Sequence, residues 1–327
     1  LINNVTVFNT GENVCGICGH RDYKTVLKFS AAQTDDRIPH RVVRCSGCGT
    51  IRTSPTISDL CLDAVYGDRY YAFEFSEERR FSSLTKAVLS ELFGYDFSPS
   101  FWLRTITRAF GPILKKVYYR TPRGDSPGRL LDVGSGAGDF VKYARGLGWD
   151  AVGTDPSNAA VEKGLDAGLD IRKVRAEELS DAFSAGEKFD VITFHHSLEH
   201  TAEPVKALKE AAKLATLSAK IIATVPNAGG LMARLFGPDW FYWSVPSHYY
   251  HFDKTTLHSA CRRAGLKPVK TYFASNYRGL NLSLVKRTGG GDKIILSPIA
   301  LLISAFILFF IDGIGLGDNM TVEFVLN

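Results

Sequence analysis

Apolar residues along this chain recur with two different periods, and their alternation outlines a fold. Residues 129–133 (RLLDV) and 151–156 (AVGTDP), and the openings of 189–200 (FDVITFHHSLEH) and 220–229 (KIIATVPNAG), are short, nearly continuous apolar runs followed by glycine or polar residues, the pattern of strands covered on both faces. Between the last two, Pro204 to Leu214 puts Val205, Leu208, Ala211 and Leu214 on one face, the period of an amphipathic helix. A further helix is predicted over Asp253 to Ala264, with Asp253 as its N-cap, leading into a strand near Leu266 to Phe273. The closing MTVEFVLN is a last strand. Strands alternating with helices predict an α/β domain over residues 128–327, built on a largely parallel sheet.

The first 60 residues do not follow that rhythm. Cys15 and Cys18 form one C-x-x-C pair and Cys45 and Cys48 another, each followed by glycine. Glycine there lets the chain turn tightly enough for both sulfurs to face one ion. Four thiolates make a closed tetrahedral zinc site with no open position, hence a structural Zn2+ in a zinc-ribbon module, although the 26-residue gap between the pairs is longer than usual for a ribbon. The competing reading, two disulfides or a redox pair, fits less well, because a redox C-x-x-C opens a helix in a βαβ unit. His20 and His40 read as surface residues beside the ribbon. Cys261 shares a helix face with Leu257, Ala260 and Ala264 and reads as core.

Residues 61–127 read as a helical connector. Asp68 to Glu74 and Phe81 to Phe97 suggest short helices, and Phe101 to Arg120 is a basic amphipathic helix broken near Gly111-Pro112. That stretch has two readings of equal standing, a dock for an anionic membrane or pyrophosphate-bearing substrate, and a surface helix packed on the next domain. Residues 121–128 (TPRGDSPG) form a linker.

Composition narrows the class. With 45% hydrophobic and 22% charged residues, the 327-residue chain can bury a core, which excludes disordered and disulfide-scaffold readings. The net charge of +5 arises before residue 131, leaving the rest balanced, so no nucleic-acid partner is expected. Paired cysteines and an opening LINNVTVFNT without a secretory pattern point to a reducing, cytoplasmic setting.

The chemistry starts at residues 129–138, RLLDVGSGAG, where a strand and Asp132 lead into Gly134, Gly136 and Gly138. These glycines allow a sharp turn and let a ligand approach bare backbone. Twenty-three residues after Asp132, a second strand ends in Asp155, placed to take both hydroxyls of a ribose. A dinucleotide fingerprint needs a third glycine where Asp139 stands. The remaining D-x-G-x-G-x-G resembles the first motif of class I S-adenosylmethionine-dependent methyltransferases. FDVITFHHSLEH resembles that family's fourth strand and its exit, and KIIATVPNAG its fifth. The resemblance implies a Rossmann-like seven-stranded sheet. It also implies methionine-moiety contacts from Asp132 and the Gly134 to Gly138 backbone, ribose contacts from Asp155, adenine contacts near Ala176 and Glu177, and Phe194 and His195 beside the cofactor. For Glu177 a solvated helix-start acid is the equal alternative. The ribbon, connector and core in this order are similar to bacterial zinc-ribbon methyltransferases of polysaccharide and sugar-nucleotide biosynthesis, which implies a small or lipid-linked acceptor and methylation of a sugar hydroxyl. Sugar C-methyltransferases of that group carry a further C-terminal domain that this chain does not show. A non-catalytic scaffold and an NAD-dependent sugar enzyme are the alternatives.

A hydroxyl acceptor needs a base, and histidine suits neutral pH. The candidates are His195, His196, His200, His248 and His251, with His196 and His248 preferred because both follow the C-terminal ends of strands. Trp240 to Trp243 forms an aromatic cluster suited to walling an acceptor pocket or stacking on a sugar, core packing accounting for two of the four. Finally, Ile294 to Ile311 is uncharged for eighteen residues. Lying in an insertion between the last two strands (276–319), it packs on a partner helix such as Gly279 to Arg287, forms a homodimer interface, or dips into one leaflet of a membrane. Membrane association at the inner face is the favoured expectation.

Overall fold

A computed structural model describes residues 8–9, 14–30, 39–57, 81–118, 120–124, 127–289 and 298–327. Cys61 and the expected helix over Asp68 to Glu74 lie outside the described residues.

Strands β1 (Phe8–Asn9) and β5 (Thr56–Ile57) pair with each other, while β2 (Tyr23–Phe29), β3 (His40–Cys45) and β4 (Ile51–Ser54) form an antiparallel meander. The larger sheet comprises β6 (Arg129–Val133), β7 (Asp150–Asp155), β8 (Ile171–Lys173), β9 (Phe189–His195), β10 (Ala215–Pro226), β12 (Leu266–Ala274) and β13 (Asn319–Leu326), with the two-residue β11 (Tyr250–His251) preceding β12 in the chain. Its order is β12-β13-β10-β9-β6-β7-β8, seven strands, all parallel except β13, which runs antiparallel to both neighbours. This is the Rossmann-like seven-stranded sheet expected. The order reverses at β6, which pairs with β7 on one side and β9 on the other. Beyond the carboxyl ends at such a switch point a crevice opens for a ligand.

Each face of the sheet has its own core. On one, Leu130, Val141, Ala144 and Ile171 pack with Val88 and Leu89 of the helix Ser83–Phe93. On the other, Phe194, Ile221 and Phe324 pack with Leu208 of the helix Pro204–Leu214 and Leu257 and Cys261 of the helix Lys254–Arg263. Each fully buried leucine or phenylalanine contributes about 2 kcal/mol through the apolar surface it removes from water. Asp253 closes a capping box with Thr256, its carboxylate accepting from the Thr256 amide at 2.8 Å, which fixes where that helix starts.

The cysteine-bearing segment is joined to the rest of the chain by strand pairing. Strand β11, far along the chain, pairs with β4 and makes the meander a four-stranded sheet. Cys15, Ile17 and Cys45 join the main core beside Tyr249, Tyr250 and Phe252. His40, expected at the surface, is fully buried and its ring Nδ1 bonds the Pro55 carbonyl at 3.1 Å.

The expected membrane association is corrected by the structure. Among the described residues no helix is long and apolar enough to cross a membrane. The apolar run contributes to a 16-residue helix, Pro298–Gly313, whose Leu308 and Ile311 are buried against Phe236, Trp240 and Trp243, with Leu280 and Leu284 of the helix Tyr277–Thr288 packed beside them. Part of the hydrophobicity that suggested lipid thus lines a third core, while Phe306, Ile307 and Phe310 of the same helix are exposed. Trp240, Tyr242 and Trp243 of the aromatic cluster belong there too. Trp240 donates from its indole to Asp318 at 3.1 Å and Trp243 to the Gly237 carbonyl at 2.7 Å, so both are structural. The basic stretch divides into helices Phe101–Ala109 and Gly111–Val117, broken at the anticipated place, with Arg104 and Arg108 paired to Glu91.

Candidate active site

The glycine loop follows β6. Gly134, Gly136 and Gly138 all have positive φ, at 72°, 57° and 96°, which side chains with a Cβ tolerate poorly. A Cβ on Gly134 would collide with Ser197, whose hydroxyl donates to the Val133 carbonyl. The loop therefore presses directly on the turn that follows β9.

Two buried carboxylates flank this loop. Asp155 accepts the amide of Gly136 at 2.9 Å through Oδ2 and that of Ser157 at 2.9 Å through Oδ1. It braces the loop from both oxygens. Asp132 is 2% exposed and accepts the Thr193 hydroxyl at 2.7 Å. Burial pushes its carboxyl up to about 7, Thr193 and Arg120 acting against the shift and the like charge of Asp155 with it.

His195 ends β9 with its ring edge-on to Phe140 at 4.4 Å between centroids, and neither ring nitrogen has a hydrogen-bond partner although both are buried. Buried polar atoms without partners are rare, and this ring lies against the helix Asp139–Gly146 that the glycine loop opens. Burial holds this imidazole well below its ordinary pKa, so it is neutral. Phe194, one residue earlier, is completely buried in the main core and faces the opposite side of the sheet. Ala176 begins a 3-10 helix, Ala176–Ala182. Glu177 is neither solvated nor open, since its Oε1 accepts the amides of Ala202 at 2.8 Å and Glu203 at 3.2 Å and so caps the helix Pro204–Leu214.

The preferred histidines do converge, on a residue that sequence reasoning passed over. His196, with φ of 54°, a left-handed conformation strained for a residue with a Cβ, has its Nδ1 3.3 Å from Glu199 Oε1. His248 lies against His200, ring edge to face at 4.7 Å. Glu199, His200 and His248 place their ligating atoms within 4.8 Å of one another. Only the H-x-x-E spacing from His196 pointed to Glu199. The backing comes from the N-terminal sheet, where the Thr53 hydroxyl of β4 donates to the His248 carbonyl at 2.7 Å and lies 3.0 Å from His251 Nε2.

The four cysteines meet as the spacing predicts. Cys15 and Cys48 sulfurs are 3.6 Å apart, Cys18 and Cys45 likewise, and all four are free thiols within 4.8 Å of one another. Four thiolates about 2.3 Å from one ion require sulfur separations close to these, whereas a disulfide needs about 2 Å. The donor set thus fits a tetrahedral Zn2+.

A family profile described as a methyltransferase domain matches residues 97–271, more than half of the chain. The chain belongs to that family. Within this methyltransferase domain the glycine loop, Asp132, Asp155 and the histidine turn all fall inside the matched residues. A ubiquinone biosynthesis O-methyltransferase of Cereibacter sphaeroides is 31% identical over 155 residues, covering 43% of this chain and 61% of that protein. One from Hahella chejuensis is 34% identical over 141 residues, covering 40% and 58%. The methyltransferase domain thus spans about three-fifths of the length of the curated relatives it matches. Among solved structures, a SAM-dependent methyltransferase from Archaeoglobus fulgidus is 16% identical with a TM-score of 0.46, covering 69% of this chain and all of that one.

Proposed function

We propose that this chain transfers a methyl group from S-adenosylmethionine to a hydroxyl of a small-molecule acceptor, a sugar. The observation that carries the reading is the gathering, at the carboxyl ends of the neighbouring strands β6, β7 and β9, of three left-handed glycines, two buried carboxylates and the unpartnered imidazole of His195. When bound, S-adenosylmethionine supplies an activated methyl group on a sulfonium. Asp155 would hold the ribose hydroxyls, the Gly134 to Gly138 backbone and Asp132 the methionine end, and His195 a polar group of the cofactor. Ala176 and Glu177 stand near the adenine side, Glu177 acting through the turn it caps.

Glu199, accepting from His196 Nδ1, leaves the other ring nitrogen of His196 to take the acceptor's proton. His248 contributes a lone pair, not a charge, because burial and the neighbouring histidines hold it well below the ordinary histidine pKa. The four-cysteine cluster holds a structural Zn2+ that fixes β4 and, through Thr53, the loop carrying His248.

The order of ribbon, connector and core supports a sugar acceptor. The names of the relatives favour a second reading, the hydroxyl of a ubiquinone precursor. Incubating the full chain with methyl-labelled S-adenosylmethionine and matched panels of nucleotide sugars and polyhydroxylated aromatics separates them. Label on a sugar oxygen supports the first, label on a phenolic oxygen the second. A chain that binds neither S-adenosylmethionine nor S-adenosylhomocysteine refutes both.

A further inference from the structure

The histidine turn holds more unsatisfied chemistry than proton transfer requires. Glu199 is completely buried, and while its Oε1 faces His196, its Oε2 has no hydrogen-bond partner. A buried carboxylate oxygen with nothing to accept from is costly unless it meets a cation. His248, 7% exposed, forms a hydrogen bond to the Tyr242 backbone, while its Nδ1 is buried without a partner. His200 Nδ1 bonds the Ser247 carbonyl at 2.9 Å, which sets the tautomer that carries its lone pair on Nε2. Two imidazoles, each steered by a backbone carbonyl, converge with a carboxylate oxygen within 4.8 Å. Outer-shell carbonyls orient metal-binding histidines in this way.

We propose that Glu199, His200 and His248 bind a divalent cation of the zinc class, which takes the hydroxyl of the methyl acceptor in an open coordination position. Two nitrogens and one oxygen suit zinc-like ions over magnesium or calcium, which prefer oxygen alone. Three protein ligands leave a position free, unlike the closed four-thiolate site. The approach is from His196, whose side chain is 23% exposed beside the fully buried Glu199. His196 also donates its amide to the Thr224 carbonyl near the end of β10, and Ser197 beside it touches the glycine loop. The identity of the fourth ligand rests on the methyl-transfer reading. The cation makes the hydroxyl more acidic, His196 takes its proton, the oxygen lone pair forms the new O–C bond, and the C–S bond breaks with its electrons left on sulfur. S-adenosylhomocysteine departs and His196 returns the proton to solvent.

The test is cobalt content and absorption of the full chain produced in cobalt-supplemented medium. Two Co2+ per chain are expected, one with thiolate-to-cobalt charge transfer and one without. Glu199→Gln and His248→Gln should each lose the second ion while keeping the thiolate band, with affinity for S-adenosylhomocysteine within about twofold of wild type. Should either variant misfold by circular dichroism, His200→Gln replaces it. A wild-type chain whose cobalt is all accounted for by the thiolate band, or that takes up none, overturns the site, as does a second ion retained in the variants. Two ions bound without affinity for S-adenosylhomocysteine would leave the site standing and remove the methyl-transfer reading.

Discussion

Asp132 should cost the fold stability at neutral pH, and replacing it with asparagine should recover that cost. The carboxyl is 2% exposed, and burial raises it to about 7 from an ordinary 3.8. In the unfolded chain it ionises near the ordinary value, so between the two the folded state holds the proton more tightly. Its contribution is therefore intact below about pH 4, falls as pH rises toward 7, and is lost above that. At about 1.36 kcal/mol for each tenfold change in proton affinity, the penalty is on the order of 4 kcal/mol at pH 8 and roughly 2 kcal/mol at pH 5. An asparagine oxygen still accepts the Thr193 hydroxyl but does not titrate. Urea unfolding of wild type and Asp132→Asn across pH 4 to 8 should show the variant's advantage growing from small to several kcal/mol. The same substitution should weaken binding of the cationic S-adenosylmethionine, whose affinity in wild type should rise with pH through 7 and in the variant stay flat. A stability difference that is constant across this range, or that favours wild type increasingly at high pH, would refute the reasoning.

Asp155→Ala should weaken S-adenosylhomocysteine binding by about 1–3 kcal/mol through lost hydrogen bonds, and unchanged affinity by calorimetry would contradict the cofactor placement. Stripping metal from the cysteine cluster should speed amide exchange in β4 and at 248–251, since Thr53 ties the two together, whereas unaltered exchange there would separate the ribbon from the site. Glu177→Ala removes the acceptor of two amides at the start of the helix Pro204–Leu214 and should lower stability by about 2 kcal/mol. If thermal denaturation is unchanged while cofactor affinity drops, Glu177 is a direct adenine contact and not a cap.

Elements whose stability is local were legible in the sequence. The helix Pro204–Leu214 lies where its apolar stripe put it, and the Asp253 cap, the break at Gly111-Pro112 and the strand at Leu266 all appear as read. The glycine loop and the four cysteines were legible because their chemistry demands particular residues at fixed spacing. What spacing does not carry is contact between distant segments. The pairing of β11 with β4, and the meeting of Glu199 with His248, depend on chain returns of about fifty to two hundred residues. The membrane expectation failed for a related reason, as counting apolar residues gives neither the length of the helix they form nor that Phe236 and Trp240 pack against Leu308 and Ile311. Parity mattered at Phe194 and His195, where one residue decides which face of β9 a side chain takes.

The central claim is that the crevice beyond β6 binds S-adenosylmethionine. Isothermal calorimetry of the full chain with S-adenosylhomocysteine, and with NAD as the control, tests it most directly. One equivalent of S-adenosylhomocysteine bound and no heat from NAD is the predicted result. Saturable NAD binding without S-adenosylhomocysteine, or neither ligand bound, would contradict it.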